Sequence, residues 1–146
     1  MNKRPVPQVL SVMTPFPHSV EVDAPIHQAR VFMREHGIRH LPVTNNDELV
    51  GVVTDRDIKL LLGPDFDYPQ ERELTVKDAY MDHAYVVDVS EPLDEVLFQM
   101  SNRHIGSALV TKHNKLVGIF TTSDACKSYG ELLRSKHPNS GGDEAA

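Results

Sequence analysis

The chain has a single cysteine, Cys126, no tryptophan, and only 6% aromatic residues. One cysteine forms no internal disulfide, so nothing ties the sequence to an oxidising compartment. Nowhere do 18 apolar residues run together, which leaves no candidate transmembrane helix. The first eight residues, MNKRPVPQ, lack the apolar stretch of a signal peptide. Basic residues are in deficit as well. Fifteen Lys+Arg against 21 Asp+Glu give a net charge of −6, the wrong balance for displacing counterions from nucleic acid. Also missing are a Gly-x-Ser-x-Gly elbow, a Walker loop and a Rossmann glycine fingerprint. What remains is ordinary for a globular protein, 40% hydrophobic and 25% charged over 146 residues. A soluble, cytoplasmic protein with one substantial core is expected, with neither nucleic acid nor membrane as a partner.

The positive signal is an internal repeat. Shifted by 67 residues, Pro25 falls on Pro92, Met33 on Met100, Ile38 on Ile105, Val43 on Val110 and Thr44 on Thr111. Leu49-Val50-Gly51 falls on Leu116-Val117-Gly118, Thr54 on Thr121 and Asp57 on Asp124. Ten identities over 35 ungapped positions exceed the two or three that chance gives, so the unit is duplicated. Upstream, Met13 meets Met81 only if one residue is dropped. A unit of this size buries its own core poorly, so the two copies are expected to pack as one pseudo-symmetric body.

Each copy reads β-α-β-β-α. Ile26, Ala29, Phe32 and Met33 fall at helical spacing, as do Leu93, Val96, Leu97 and Met100. Asp23 and Ser90 stand ahead of Pro25 and Pro92, suggesting a capped start with proline in the first turn. Gly37 is expected to end the first helix, and His104 takes its place in the second copy. Strands are expected at 41–44 and 49–54, with copies at 108–111 and 116–121, and at 19–22 and 85–89. Second helices are expected over 56–62 and 123–134. Thr75-Val76-Lys77-Asp78 resembles a capping box. The resulting division is an N-terminal extension 1–8, repeat one 9–62, a linker 63–74, repeat two 75–134 and a disordered tail 135–146. The fold class is α/β (α+β), two such repeats packed about a pseudo-two-fold axis.

In both copies a strand ends in Thr and enters a helix with Asp three residues on: Thr54-Asp55-Arg56-Asp57 and Thr121-Thr122-Ser123-Asp124. A helix N-terminus offers free N–H groups and partial positive charge to a phosphate. The Asp can accept hydrogen bonds from the vicinal hydroxyls of a ribose. The same residues are equally explained as helix caps with acids in the first turn. Spacing alone names no nucleotide.

The repeat, the two Gly-x-x-Thr-x-x-Asp turns and the segment Gly37-Ile38-Arg39-His40-Leu41-Pro42-Val43 resemble tandem CBS (cystathionine β-synthase) domains, over residues 9–134. Such a pair is a Bateman module, and this one is most similar to stand-alone bacterial modules of the acetoin-utilisation type. The resemblance implies two inter-repeat clefts for an adenine nucleotide (AMP, ADP or ATP, or else NAD or S-adenosylmethionine). It also implies a homodimer shaped as a four-repeat disc and an effector protein that reads its shape. Carried over, one cleft combines Thr14, Ser19, His40, Leu41 and Pro42 with Thr121, Ser123 and Asp124. The other combines Thr54, Arg56 and Asp57 with Asp82, Val86, Ser107 and Ala108. Departures from the pattern are Asp82 for Thr14, Val86 for Ser19 and Leu109 for Pro42. An added acid beside an anionic ligand would weaken the second cleft or make it select a ligand with less charge, while Arg56, where repeat two has Ser123, can supply a cation. Arg39, Arg103 and His104 flank the clefts as phosphate contacts or as solvated surface charges.

Rival readings are thinner. His36-x-x-x-His40 has metal-ligand spacing, but Gly37 interrupts the helix between them and no HExxH pattern completes it. No metal site and no catalytic residue is expected. Cys126 reads as a half-buried structural thiol. The expected function is an adenine-nucleotide-sensing regulatory module without catalysis of its own; the alternative is a constitutive dimerisation scaffold whose clefts are silent. A histidine-based metal-dependent hydrolase is the third and least supported.

Overall fold

A computed structural model describes residues 6–15, 17–63 and 73–138. Of the N-terminal extension, the linker and the tail, residues 1–5, 64–72 and 139–146 lie outside it, as does residue 16. In chain order the elements are β1 (Thr14–Pro15), β2 (Val20–Glu21), α1 (Ile26–His36), β3 (His40–Asn45), β4 (Glu48–Thr54) and α2 (Asp55–Leu62). The second copy follows as β5 (Val86–Asp88), α3 (Leu93–Arg103), β6 (Ser107–Lys112), β7 (Lys115–Thr121) and α4 (Thr122–Lys136). Short 3₁₀ turns at Val9–Ser11 and Val76–Asp78 precede each copy. The chain is thus mixed α/β, and the α4 helix runs two residues past the boundary drawn at 134.

Each repeat pairs its first strand parallel to the second and folds the second onto the third as a hairpin. The hairpin turns fall on Asn46-Asp47 and His113-Asn114, both pairs at positive φ, the twist that tight hairpins need. Gly37 and His104 both close their helices in the left-handed region, at φ 62° and 54°. Two cores form beneath the sheets, one around Ile26, Leu41, Val53 and Ile58, the other around Val96, Ala108, Val110 and Phe120. Val52, Leu109 and Ile119 join them across the seam.

The leading segments are exchanged. Val9 is buried in the core of repeat two, and Val76 in that of repeat one. β1 pairs with β7, so Thr14 lies opposite Ile119, while Met81 bridges Val52 in the same way. The hydrogen bonds repeat throughout at the offset of 67: Val9 N–H to Glu91 carbonyl matches Val76 N–H to Ala24 carbonyl, and Leu10 to Val89 matches Lys77 to Val22. The duplication therefore runs upstream without a dropped residue. Met13 corresponds to Tyr80 and Thr14 to Met81, not to Asp82, which corrects the alignment made on the Met13–Met81 identity.

This exchange also explains the helix starts. Pro25 and Pro92 are the N-cap residues themselves, in extended backbone, and neither Asp23 nor Ser90 caps. The first helical N–H groups are satisfied across the seam instead, Ile26 by Leu74 carbonyl at 2.9 Å and Leu93 by Pro7 carbonyl at 2.8 Å. Each of these bonds takes up one of the donors that a helix start leaves open. The Ser90 hydroxyl and amide bond the Asp88 carboxylate, holding its pKa below the usual range.

Candidate functional site

Two open cavities lie at the seam. The first, of about 740 Å³, is framed on one side by Arg39, His40 and the α2 entrance from Thr54 to Asp57. On its other side stand Met81, His83, Ala84 and Tyr85, followed by the stretch His104 to Ser107. The second, of about 700 Å³, takes Thr14, Pro15, Pro17 and His18 from the exchanged side. It is closed by Arg39, His40 and Pro42, and by Ile119, Thr121, Thr122 and Ser123.

The two turns are true capping boxes. Asp57 N–H donates to Thr54 Oγ1 at 3.1 Å, and Thr54 N–H donates to Asp57 Oδ2 at 2.9 Å. In repeat two the equivalent bonds are 3.3 Å and 2.9 Å. Capping and ligand binding are compatible here, because these bonds engage Oδ2 and fix each carboxylate beside a helix N-terminus. The two Asp differ in what faces them. Thr14 donates its hydroxyl to Asp124 Oδ1 at 3.1 Å across the seam. Met81 occupies the corresponding place opposite Asp57 and brings no hydroxyl. Asp57 lines its cavity, whereas Asp124, expected on the ribose in the other, is held by Thr14 and does not line the second cavity as its neighbours Thr121 and Ser123 do.

Strand alternation sorts the other residues named from the sequence. Leu41 and Ala108 face the repeat cores, fully buried, and line neither cavity, while their neighbours His40, Pro42 and Ser107 line the clefts. Ser19 is exposed just ahead of the buried Val20 and stays outside the second cavity. Asp82 and Val86 line a shallow space of about 280 Å³ beside Gly51, not the Asp57 cleft. The Asp82 carboxylate pairs with His83 Nδ1 at 3.1 Å on the surface, so it adds no acid to the cleft wall. The weakening expected from Asp82 therefore has no basis in the geometry. Arg103 lines neither cavity, its guanidinium lying 4.7 Å from the centre of the ring of Tyr85, itself a wall of the Asp57 cleft, whereas His104 does line that cleft. His36 stacks on His18 and Phe32, with centroids 4.5 Å and 4.2 Å away, apart from His40.

Sequence reasoning missed three things here. Met81, Ala84 and Tyr85 supply the apolar wall of the Asp57 cleft, a role the offset of 67 from Thr14, Pro17 and His18 would have given them. His40, expected in one cleft, lines both, as the flanking Arg39 does. And the His40 ring fits only because residue 106 is glycine: a Cβ there would stand 2.7 Å from His40 Cε1. His40 Nδ1 is buried without a hydrogen-bond partner among the described residues. Burial lowers the His40 pKa, Asp57 partly opposes that, and Arg39 adds to the lowering.

Comparison with known proteins agrees with this architecture. The sequence model for the CBS domain matches twice, at residues 9–63 and 76–131. The YlbB protein of Bacillus subtilis is 41% identical over 101 residues, 68% of this chain and 66% of that one. Among solved structures, an acetoin utilization protein (AcuB) from Vibrio cholerae superposes with a TM-score of 0.80 at 25% identity, covering 91% of this chain and 97% of that one. The CBS domain pair of protein MJ0100, in complex with 5'-methylthioadenosine and S-adenosyl-L-methionine, gives 0.77 at 25% identity over 88% and 99%. CBSX2 in complex with AMP gives 0.74 at 25% identity over 87% and 98%.

Proposed function

The chain belongs to the CBS domain family as a tandem pair, and from that membership we propose that it is a sensor of adenine nucleotides, with the Asp57 cleft as its principal site. CBS pairs are regulatory ligand-binding modules, and similar pairs have been solved with AMP and with S-adenosyl-L-methionine. The observation that carries the reading is the Asp57 turn: a fixed carboxylate beside a helix N-terminus, on an open cleft of about 740 Å³ with an apolar wall opposite. Ribose hydroxyls would bond Asp57, the base would lie against Met81, Ala84 and Tyr85, and phosphate would meet Thr54, Arg56 and Arg39. The Asp124 cleft, with Thr14, Thr121 and Ser123, would take a second ligand once Thr14 yields. AMP, ADP and ATP are the leading ligands, with NAD and S-adenosylmethionine as other adenine carriers. We assign it no reaction of its own.

A ligand that binds two arrangements of the repeats unequally shifts the balance between them. In this reading the output is the shape of a cytoplasmic homodimer, read by an effector protein. Exposed Phe98, Tyr129 and Leu132 on α3 and α4 supply an apolar face for the second copy.

The test is thermal denaturation with AMP, ADP, ATP, NAD, S-adenosylmethionine and GTP. A ligand at 100 times its Kd adds about 2.7 kcal/mol, a rise of several degrees for a chain of this size. Asp57→Ala should lose that rise, whereas no shift with any adenine compound in nucleotide-free protein would leave a dimerisation scaffold.

A further inference from the structure

Beyond the Asp57 cleft, a groove of about 420 Å³ opens between α1 and α2, and it gathers Arg30, Arg34, Arg39 and Lys59. Among the described residues Asp55 is the one carboxylate lining it, and it pairs with Lys59 at 2.8 Å. Arg39, Asp55 and Lys59 also line the Asp57 cleft, so groove and cleft share a wall and form one continuous surface. The duplicated unit supplies an internal comparison. At the offset of 67, the positions of Arg30, Arg34, Arg39 and Lys59 are held in repeat two by Leu97, Ser101, Gly106 and Cys126. The same helices and the same turn thus form without any of the four cations. In a chain of net charge −6 their convergence makes this groove a locally basic surface, of the kind that draws an anion.

We propose that this groove receives the terminal phosphates of a nucleotide seated in the Asp57 cleft, so that the cleft selects a nucleoside triphosphate over a monophosphate. The inference rests on the cleft binding an adenine nucleotide at all. The ribose and first phosphate would be held at Thr54, Arg56 and Asp57. The remaining phosphates would cross the ridge made by Arg39 and Lys59 and end between Arg30 and Arg34. Arginine suits the far end because its planar fork bonds phosphate oxygens in pairs.

The experiment titrates AMP, ATP and inorganic tripolyphosphate calorimetrically, in magnesium-free buffer, into the intact protein and two variants. Arg30→Leu/Arg34→Ser installs the side chains that repeat two carries at the matching positions of α3, where the helix forms with them. Arg30→Lys/Arg34→Lys keeps the charge. ATP is expected to bind more tightly than AMP in the intact protein. The first variant should lose about tenfold in ATP affinity while AMP stays within twofold, because exposed charge contacts are modest singly. The lysine variant should recover most of the loss. An unchanged ratio of ATP to AMP affinity would overturn the groove while leaving the cleft standing. An equal loss for both nucleotides would overturn it too, since the arginines would then act on the cleft through the fold. Tripolyphosphate binding that depends on the arginines, with ATP indifferent to them, would assign the groove to a free polyanion instead. Failure of every nucleotide to bind the intact protein would overturn both readings.

Discussion

Gly51 and Gly118 occupy equivalent strands, yet alanine should be far costlier at the first than at the second. At Gly51 a Cβ would stand 2.1 Å from the Met81 carbonyl oxygen and 2.8 Å from Tyr80 Cδ2. Backbone cannot step aside locally. The exchanged segment would have to lift, and with it the pair of bonds between Val52 and Met81, at 3.1 Å and 2.8 Å. Two such bonds contribute about 1 kcal/mol each, and forcing an atom into a packed site costs about 1–3 kcal/mol. A loss of about 3–5 kcal/mol follows for Gly51→Ala. At Gly118 the obstacle is Met13 Sδ, 2.4 Å from the added Cβ. A thioether on three rotatable bonds can swing away, so Gly118→Ala should cost only about 1 kcal/mol. Urea unfolding followed by circular dichroism measures both, with midpoints compared at a common slope. Equal losses at the two sites, or a Gly51→Ala loss under about 1 kcal/mol, would refute the claim that the crossing strand is held by its backbone.

Other consequences can be checked as directly. Because burial holds the His40 pKa below 6.5, the unfolded chain binds the proton first as pH falls. Stability should therefore decline with falling pH from the unfolded value of 6.5 until the folded value is passed, and His40→Gln should flatten that part of the pH profile of the melting temperature. If the variant melts with the same pH slope as the parent, His40 is not the group responsible. His104 closes α3 at φ 54°, so His104→Gly should gain about 0.5 kcal/mol in urea while weakening ligand binding in the cleft that His104 lines. A net loss of stability would show that the left-handed position carries no strain there. Phe98→Glu places charge on exposed apolar surface of α3 and should shift the proposed dimer to monomer in sedimentation; an unchanged species would remove that face from the proposed interface.

Local chemistry was legible where one segment decides it alone. The hairpin turns, Gly37 and the two Thr-to-Asp boxes follow from residue type and spacing, and the structure has them where periodicity put them. Pro25 and Pro92 were misjudged because their helices receive a carbonyl from a segment far along the chain, which no window of sequence contains. Asp82 was misassigned for a different reason. One identity, Met13 with Met81, outweighed an unbroken offset of 67 that the hydrogen bonds keep. The same offset, applied to Arg30, Arg34 and Lys59 as well as to the motif residues, would have exposed the unequal charge of the two repeats. Leu41 and Ala108 needed only the two-residue period of a strand to be read as core.

The exchanged leading segments bear on how the protein comes to be folded. Val9 finds its hydrogen-bond partner at Glu91, and Leu10 at Val89, so repeat two is finished by residues made before any of its own helices. Repeat one, in turn, is sealed by Val76, which emerges after its own helices. Repeat one is therefore incomplete when its last helix leaves the ribosome, whereas repeat two meets a segment already made and is finished once the long loop between Val9 and Glu91 has closed. Contacts of such separation are formed late and slowly, since chain entropy must be lost before they reward it. Cutting the chain between the repeats would give two pieces, each lacking a wall of its own cleft and carrying a wall of the other's; mixed together, they should recognise one another before either recognises a ligand.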